Sequence, residues 1–134
     1  MKTINIGIVD DHKLFLKTLR GLIDLFPAFN TVLEASNGKM LIKKLQTAET
    51  VPDILLLDVN MPFMNGIEVA RIISRTLPQI KMIALTMKDD SATRAEMLGE
   101  GCCAYLLKDI DPDELERAIL EVNEKGYYSG DVSI

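Results

Sequence analysis

The stretch that decides the fold runs from Val51 to Asp58 and reads VPDILLLD. Its first three residues break the preceding structure, and residues 54–57 are an uninterrupted aliphatic run. A strand that is apolar on both faces is expected at the centre of a parallel sheet, where helices cover each side. The run ends abruptly at Asp58, so a carboxylate stands where the central strand reaches the edge of the sheet.

Outward from this run, strand and helix patterns alternate five times. The predicted strands cover residues 3–9, 31–35, 54–57, 80–85 and 104–107. In the first predicted helix, apolar residues recur at spacings of four, three and four and form one face, namely Phe15, Leu19, Leu22 and Phe26. Strands that alternate with helices indicate parallel pairing with helices on both faces. The sequence therefore predicts an α/β fold with a doubly wound, five-stranded parallel sheet of the (βα)5 type.

The last predicted helix has the clearest end signals. Asp111 is placed to cap it, Pro112 occupies its first position and Glu114 follows three residues after the cap. Gly126 ends it, and the remaining residues are expected to form an irregular tail. We therefore predict one domain over residues 1–125, with residues 126–134 as a C-terminal tail or the start of an interdomain linker.

Composition limits the function classes. The 134 residues suit one domain, and 15 basic against 20 acidic residues give a net charge of −5. A net acidic domain is a poor stand-alone nucleic-acid binder, because affinity for phosphate comes from clustered Lys and Arg. The adjacent Cys102 and Cys103 have the spacing of neither a disulfide framework nor a zinc site. Since no signal peptide or membrane-length apolar run is found, we expect a cytoplasmic protein without a membrane partner.

Four of the five predicted strands end in residues that do not belong in a core: Asp10-Asp11, Asp58, Thr86 and Lys108. The carboxyl ends of parallel strands lie on one edge of the sheet, where ligands bind in open α/β folds. If the first and third strands are neighbours, the three acids converge, because adjacent strands lie about 4.8 Å apart. Each residue alone has an ordinary explanation as a turn former, a helix cap or a solvated side chain. The ordered set points to a shared site.

The chemistry of this set favours phosphoryl transfer. Three close carboxylates repel one another, and a hard divalent cation with oxygen ligands, naturally Mg²⁺, resolves the conflict. Lys108 adds a compact positive charge and Thr86 a hydroxyl group. A carboxylate can act as the nucleophile, while the rest of the site positions and neutralises the transferring oxygens.

Four segments carry a family resemblance: residues 8–12 (IVDDH), 54–66 (ILLLDVNMPFMNG), 84–86 (ALT) and 104–109 (AYLLKD). Together they closely resemble the receiver domain of bacterial two-component response regulators, over residues 1 to about 125. Residues 101–115 are most similar to the NarL/LuxR-type subfamily, whose output is a helix-turn-helix DNA-binding domain. Each segment alone would be weak, but the combination is highly specific.

The resemblance implies a flavodoxin-like strand order of 2-1-3-4-5 and a set of roles. Asp58 would accept a phosphoryl group from a sensor histidine kinase. Asp10 and Asp11 would hold Mg²⁺ together with Asp58, helped by the backbone carbonyl of Asn60. Lys108 would contact Asp58 and the phosphoryl group. Such a receiver catalyses its own phosphorylation and dephosphorylation and is not an enzyme in the usual sense.

The resemblance also implies a switch and its partners. Thr86 would turn toward the phosphoryl oxygens, and Tyr105 would turn inward with it, repacking the face formed by the fourth helix, the fifth strand and the fifth helix. DNA would be bound only through an output domain that is absent from this chain. We therefore expect a piece of a longer protein rather than a single-domain regulator, and homodimerisation is open.

Two positions depart from the commonest family pattern. Asp109 stands where most receivers have proline, and the cis bond of the family at that loop would be costly without proline. Met87 stands where a small residue is usual, and we predict that its thioether slows phosphorylation by small donors. His12 is the only histidine, and we expect it to border the first helix rather than to take part in chemistry.

Three alternatives stay open. A haloacid-dehalogenase-type phosphatase also uses an Asp nucleophile and Mg²⁺, but its second Asp follows two residues after the first, which Asp10-Asp11-His12 lacks. A pseudo-receiver would use the fold without phosphorylation, against which the complete acceptor set argues. A flavodoxin would need a phosphate-cradling loop after the first strand, and none is found.

Overall fold

In the computed structural model, the described residues are 3–62 and 64–131. Phe63 of the quoted motif and residues 132–134 of the predicted tail lie outside them. The five strands are β1 (Ile4–Val9), β2 (Phe29–Ala35), β3 (Ile54–Asp58), β4 (Lys81–Thr86) and β5 (Ala104–Leu107). The helices are α1 (Lys13–Asp24), α2 (Gly38–Thr47), α3 (Gly66–Thr76), α4 (Ser91–Gly99) and α5 (Pro112–Lys125).

The strands form one sheet in the order β2-β1-β3-β4-β5, and all four pairings are parallel. This confirms both the predicted fold class and the strand order. β3 occupies the centre, and all five of its residues are buried. The aliphatic run is therefore explained by the two core layers that it serves.

Alternate residues of β3 face opposite layers. Ile54 and Leu56 pack in a cluster with residues of α1 and α5. Leu55 and Leu57 pack in a second cluster with residues of α2, α3 and Met97 of α4. Since side chains alternate along a strand, a continuous apolar run supplies both layers. Both faces of the central strand are thereby covered by apolar side chains.

Three helices begin at a side-chain cap. The side chains of Asn37, Asn65 and Asp90 accept backbone N–H bonds at the starts of α2, α3 and α4. Asp111 lies at the predicted cap position of α5, but its side chain makes no capping hydrogen bond, so that part of the prediction was wrong. Gly126 ends α5 in the left-handed conformation, with φ of 85°.

The expectation of an irregular tail was wrong for the segment that follows α5. Ser129–Asp131 forms a 3-10 turn, and Tyr128 is buried in the core cluster beneath α5. Its hydroxyl donates to Oε2 of Glu114 at 3.1 Å, and the Ser129 N–H donates to Oε1 of Glu121 at 2.6 Å. These contacts attach the segment to α5, and the boundary after residue 125 stays a prediction.

The two adjacent cysteines contribute to the two core clusters. Cys102 is buried in one core cluster and Cys103 packs against the other, and both are free thiols. Burial raises the pKa of Cys102 to about 12, as expected for a packing residue.

Among the described residues, no helix combines the length and apolar character that crossing a membrane requires.

Candidate functional site

The candidate site lies at the carboxyl edge of β1 and β3. Val9 pairs with Leu57, so that Asp10 and Asp58, which follow them, emerge side by side. Both side chains are buried, each with 2% of its surface exposed. Gly66 allows α3 to begin directly behind this edge, because a Cβ there would lie 2.7 Å from the backbone oxygen of Asp58. The strand register therefore brings two buried carboxylates together.

Lys108 reaches this pair from the end of β5. Its Nζ lies 2.8 Å from Oδ2 of Asp10 and 3.2 Å from Oδ1 of Asp58. Its backbone N–H donates to the carbonyl of Thr86 at 2.8 Å, which fixes where the side chain begins. The ring of Phe15 on α1 lies beneath the ammonium group, 4.7 Å from Nζ to the ring centroid. The ammonium group of Lys108 thus contacts two buried carboxylates.

The site is left short of positive charge. Burial, followed by the charge of Asp10, raises the pKa of Asp58 from its ordinary 3.8 to about 7, although Lys108 acts in the opposite direction. Oδ2 of Asp58 and Oδ1 of Asp11 are buried and make no hydrogen bond. A buried carboxylate oxygen without a partner is costly, and a bound cation would remove that cost.

These atoms fit a divalent cation. Ligand atoms of Asp10, Asp11, His12 and Asp58 all lie within 4.8 Å of one another. The carboxylates supply the oxygen ligands that Mg²⁺ prefers. The backbone N–H of Asn60 donates to Oδ1 of Asp58 at 3.3 Å, which places this residue at the site.

The two residues predicted to form the switch share one acceptor. Thr86 is buried, and its hydroxyl donates to the carbonyl of Lys88 at 3.2 Å and accepts the Lys88 N–H at 3.3 Å. The hydroxyl of Tyr105 donates to the same carbonyl at 3.4 Å. Tyr105 already lies inward, with 1% of its surface exposed, and the guanidinium of Arg94 sits 4.9 Å from its ring centroid.

A groove lies beside these residues and Asn60. It has a volume of about 370 Å³, and its lining includes Asn60, Thr86, Met87 and Tyr105. The side chain of Met87 is 71% exposed at this groove. All peptide bonds of the described residues are trans, including the bond that precedes Asp109.

Comparison with known proteins decides the family. The family described as "Response regulator receiver domain" matches residues 6–120. The chain belongs to this family. Among curated proteins, this receiver domain is 37% identical to the transcriptional regulatory protein LnrK of Bacillus subtilis (strain 168), over 92% of this chain and 55% of LnrK. It is 33% identical to the transcriptional regulatory protein DegU of Brevibacillus brevis, over 93% of this chain and 52% of DegU.

A solved structure supports the assignment. The receiver domain is similar to the signal receiver domain of the response regulator NarL from Mycobacterium tuberculosis, with a TM-score of 0.86 and 26% identity. The match covers 93% of this chain and 99% of that one. The relatives include NarL/LuxR-family regulators, as the subfamily resemblance predicts. The chain spans about half the length of the curated relatives that it matches.

Sequence reasoning missed two side chains at this site. His12 was expected only to border α1, but its Nδ1 lies 3.3 Å from Oδ1 of Asp10. Phe15 was assigned only to the apolar face of the helix. The position of His12 directly after the acidic pair was a usable signal, whereas nothing local marks Phe15 as a neighbour of Lys108.

Proposed function

We propose that this receiver domain is a phosphorylation-dependent switch in which Asp58 accepts a phosphoryl group from a sensor histidine kinase. One observation carries the proposal: Asp58 is buried with Oδ1 held by Lys108, while Oδ2 has no partner. An unpaired carboxylate oxygen beside a fixed ammonium group is placed to act as a nucleophile.

The transfer would proceed as a displacement at phosphorus. A bond forms between an Asp58 oxygen and the phosphorus atom as the bond from phosphorus to the donor nitrogen or oxygen breaks, and the electron pair leaves with the donor. Lys108 stays in contact with the carboxyl group and the phosphoryl oxygens and offsets their charge. Asp11 and Asp58, with Asp10 and the carbonyl of Asn60 nearby, would hold Mg²⁺. When bound, Mg²⁺ neutralises charge on the carboxylates and on the transferring oxygens.

Phosphorylation would be transmitted through the shared acceptor. New phosphoryl oxygens on Asp58 would compete with the Lys88 carbonyl for the hydroxyl of Thr86. Because Tyr105 donates to that same carbonyl, a change at Thr86 alters the packing around Tyr105. Tyr105 belongs to β5, so the change reaches the face formed by α4, β5 and α5. This is a local charge event that biases a packed element.

The output is proposed from the relatives. Two of them are named as transcriptional regulators, and this chain covers about half of each. We therefore place DNA binding in an output domain outside the sequence described here, with homodimerisation as one route from the switch to DNA. The cytoplasm is the compartment in which such a regulator would meet both its kinase and its DNA.

Intact-mass spectrometry tests the acceptor. The wild-type protein, Asp58→Asn and the surface control Asp89→Asn are each incubated with acetyl phosphate and Mg²⁺. We expect one phosphoryl adduct on the wild type and the control, dependent on Mg²⁺, and none on Asp58→Asn. An adduct that survives in Asp58→Asn would show that the acceptor is wrong, and no adduct on either the wild type or Met87→Ala would indicate a pseudo-receiver.

A further inference from the structure

His12 is anchored over the acidic cluster by its backbone. Its N–H donates to Oδ1 of Asp10 at 2.8 Å, and its carbonyl accepts the Leu16 N–H at 2.9 Å in the first turn of α1. Both backbone groups of His12 are thus hydrogen-bonded, and its side chain lies against the carboxylates of Asp10 and Asp11. Nδ1 lies 3.3 Å from Oδ1 of Asp10 and 3.4 Å from Oδ1 of Asp11.

The carboxylate oxygens differ in whether they are already engaged. Both oxygens of Asp10 have partners, because Oδ2 contacts Lys108 and Oδ1 accepts the His12 N–H. In contrast, Oδ1 of Asp11 and Oδ2 of Asp58 are buried without a hydrogen bond, and Asp58 is only 2% exposed. A cation at this site would therefore take its carboxylate ligands first from Asp11 and Asp58.

The imidazole of His12 completes this ligand set. Its nitrogen belongs to the group of ligand atoms that lie within 4.8 Å of one another. Ligands bonded at about 2.0–2.2 Å to one cation lie at most about 4.4 Å apart, so a small closing movement suffices. The His12 side chain is 63% exposed and is free to make that movement.

An imidazole changes which cation the site prefers. Mg²⁺ favours oxygen ligands and gains little from a nitrogen donor. First-row transition cations accept an imidazole nitrogen more readily than Mg²⁺ does, and among them Mn²⁺ also suits carboxylate oxygens. We infer that His12 is a further protein ligand of the divalent-cation site and that it shifts the preference of the site from Mg²⁺ toward a transition cation of the Mn²⁺ type. The inference rests on the proposed function only in that Asp11 and Asp58 bind a cation.

Electron spin-echo spectroscopy of the Mn²⁺-loaded protein tests this directly. His12 is the only histidine in the sequence, so any imidazole nitrogen coupled to Mn²⁺ in the untagged protein must belong to it. We expect ¹⁴N modulation from imidazole in the wild type and none in His12→Asn. The neighbouring surface variant Lys13→Gln should keep the modulation.

Binding measurements complete the test. Free Mn²⁺ is measured by its electron paramagnetic resonance signal, and Mg²⁺ affinity is obtained by competition. We expect His12→Asn to weaken Mn²⁺ binding about tenfold while changing Mg²⁺ binding less than about twofold. Bound Mn²⁺ without imidazole modulation, or an equal loss for both cations, would overturn the role of His12 and leave the acidic site standing. A wild type that binds neither cation, or an Asp58→Asn variant that binds as tightly, would overturn the proposed metal site together with this inference.

Discussion

The carboxyl edge of the sheet has two halves that are built differently. The charged half consists of Asp10, Asp11, Asp58 and Lys108, where one ammonium group contacts two of the three carboxylates and two buried oxygens make no hydrogen bond. The neutral half consists of Thr86, Tyr105 and the carbonyl of Lys88, where both hydroxyl groups have a hydrogen bond. The two halves adjoin through neighbouring strands β3 and β4.

This difference shows where a ligand can act. A network whose polar groups are already satisfied gains little from a new ion, whereas one with buried, unpaired charge gains much. Cation binding and phosphorylation should therefore change the free energy of the charged half. The neutral half should respond only through its contact with the charged half. The following substitutions test that division.

Lys108→Met should have the largest effect, because it leaves two buried carboxylates without their cation. We expect the free energy of unfolding at pH 8, without divalent metal, to fall by about 3–5 kcal/mol. Urea unfolding with and without Mg²⁺ measures this, and Mg²⁺ should restore part of the loss.

Lys81→Met is the matched control for Lys108→Met. Lys81 donates to the Asn123 carbonyl at 2.7 Å and contacts no carboxylate in the charged half, so its loss should cost about 1 kcal/mol and not respond to Mg²⁺. Equal losses in the two variants would contradict the special position of Lys108.

Asp58→Asn should stabilise the metal-free protein, by an amount that depends on pH. The folded-state pKa of Asp58, about 7, exceeds its ordinary value of 3.8, so folding favours the protonated form. The resulting stability is full below pH 3.8 and is lost as pH rises through 7. The advantage of the variant should therefore grow between these pH values, to on the order of a few kcal/mol, and stay constant above.

Urea unfolding of both proteins from pH 5 to 8.5 checks this. The comparison with wild type cancels the titration of other groups, so only the difference between the two curves is interpreted. A difference in the free energy of unfolding that is constant across this pH range would contradict the raised pKa of Asp58.

Thr86→Val should have a smaller effect, and one that is insensitive to conditions. It removes two hydrogen bonds to Lys88 while keeping the shape of the side chain, at a cost of about 1–2 kcal/mol. Because no ionised group takes part in these two hydrogen bonds, the loss should be the same at pH 5.5 and 8, with or without Mg²⁺. Thermal unfolding under the four conditions measures it, and a strong dependence on Mg²⁺ would show that the halves are not separable.

Met87→Ala should have the smallest effect on stability, within about 0.5 kcal/mol, because the side chain is 71% exposed. Its effect should instead be kinetic. Met87 lines the groove that leads past Asn60 and Thr86, so shortening it should speed phosphorylation by acetyl phosphate a few-fold. Equal phosphorylation rates in the two proteins would remove the predicted obstruction.

Much of the fold could be predicted because its determinants are local. The aliphatic run at residues 54–57 sets a doubly covered strand, and alternating strand and helix patterns set parallel pairing. Asn65 and Gly66 mark the start of α3, where the structure places it. The strand order was predicted from the family resemblance and not from periodicity. The residue pattern within one strand does not show which strands lie beside it.

The sequence by itself determined that acids, a hydroxyl group and a lysine stand at one edge of a parallel sheet, since strand direction puts every strand end there. Only the tertiary structure decided how these groups pair. It placed Lys108 against both Asp10 and Asp58, left Oδ1 of Asp11 without a hydrogen bond, and brought Phe15 and His12 to the site. It also buried Tyr128 beneath α5. The contacts of Lys108, Phe15 and Tyr128 join residues far apart in the chain, and they depend on strand register and side-chain rotamers that no local pattern records.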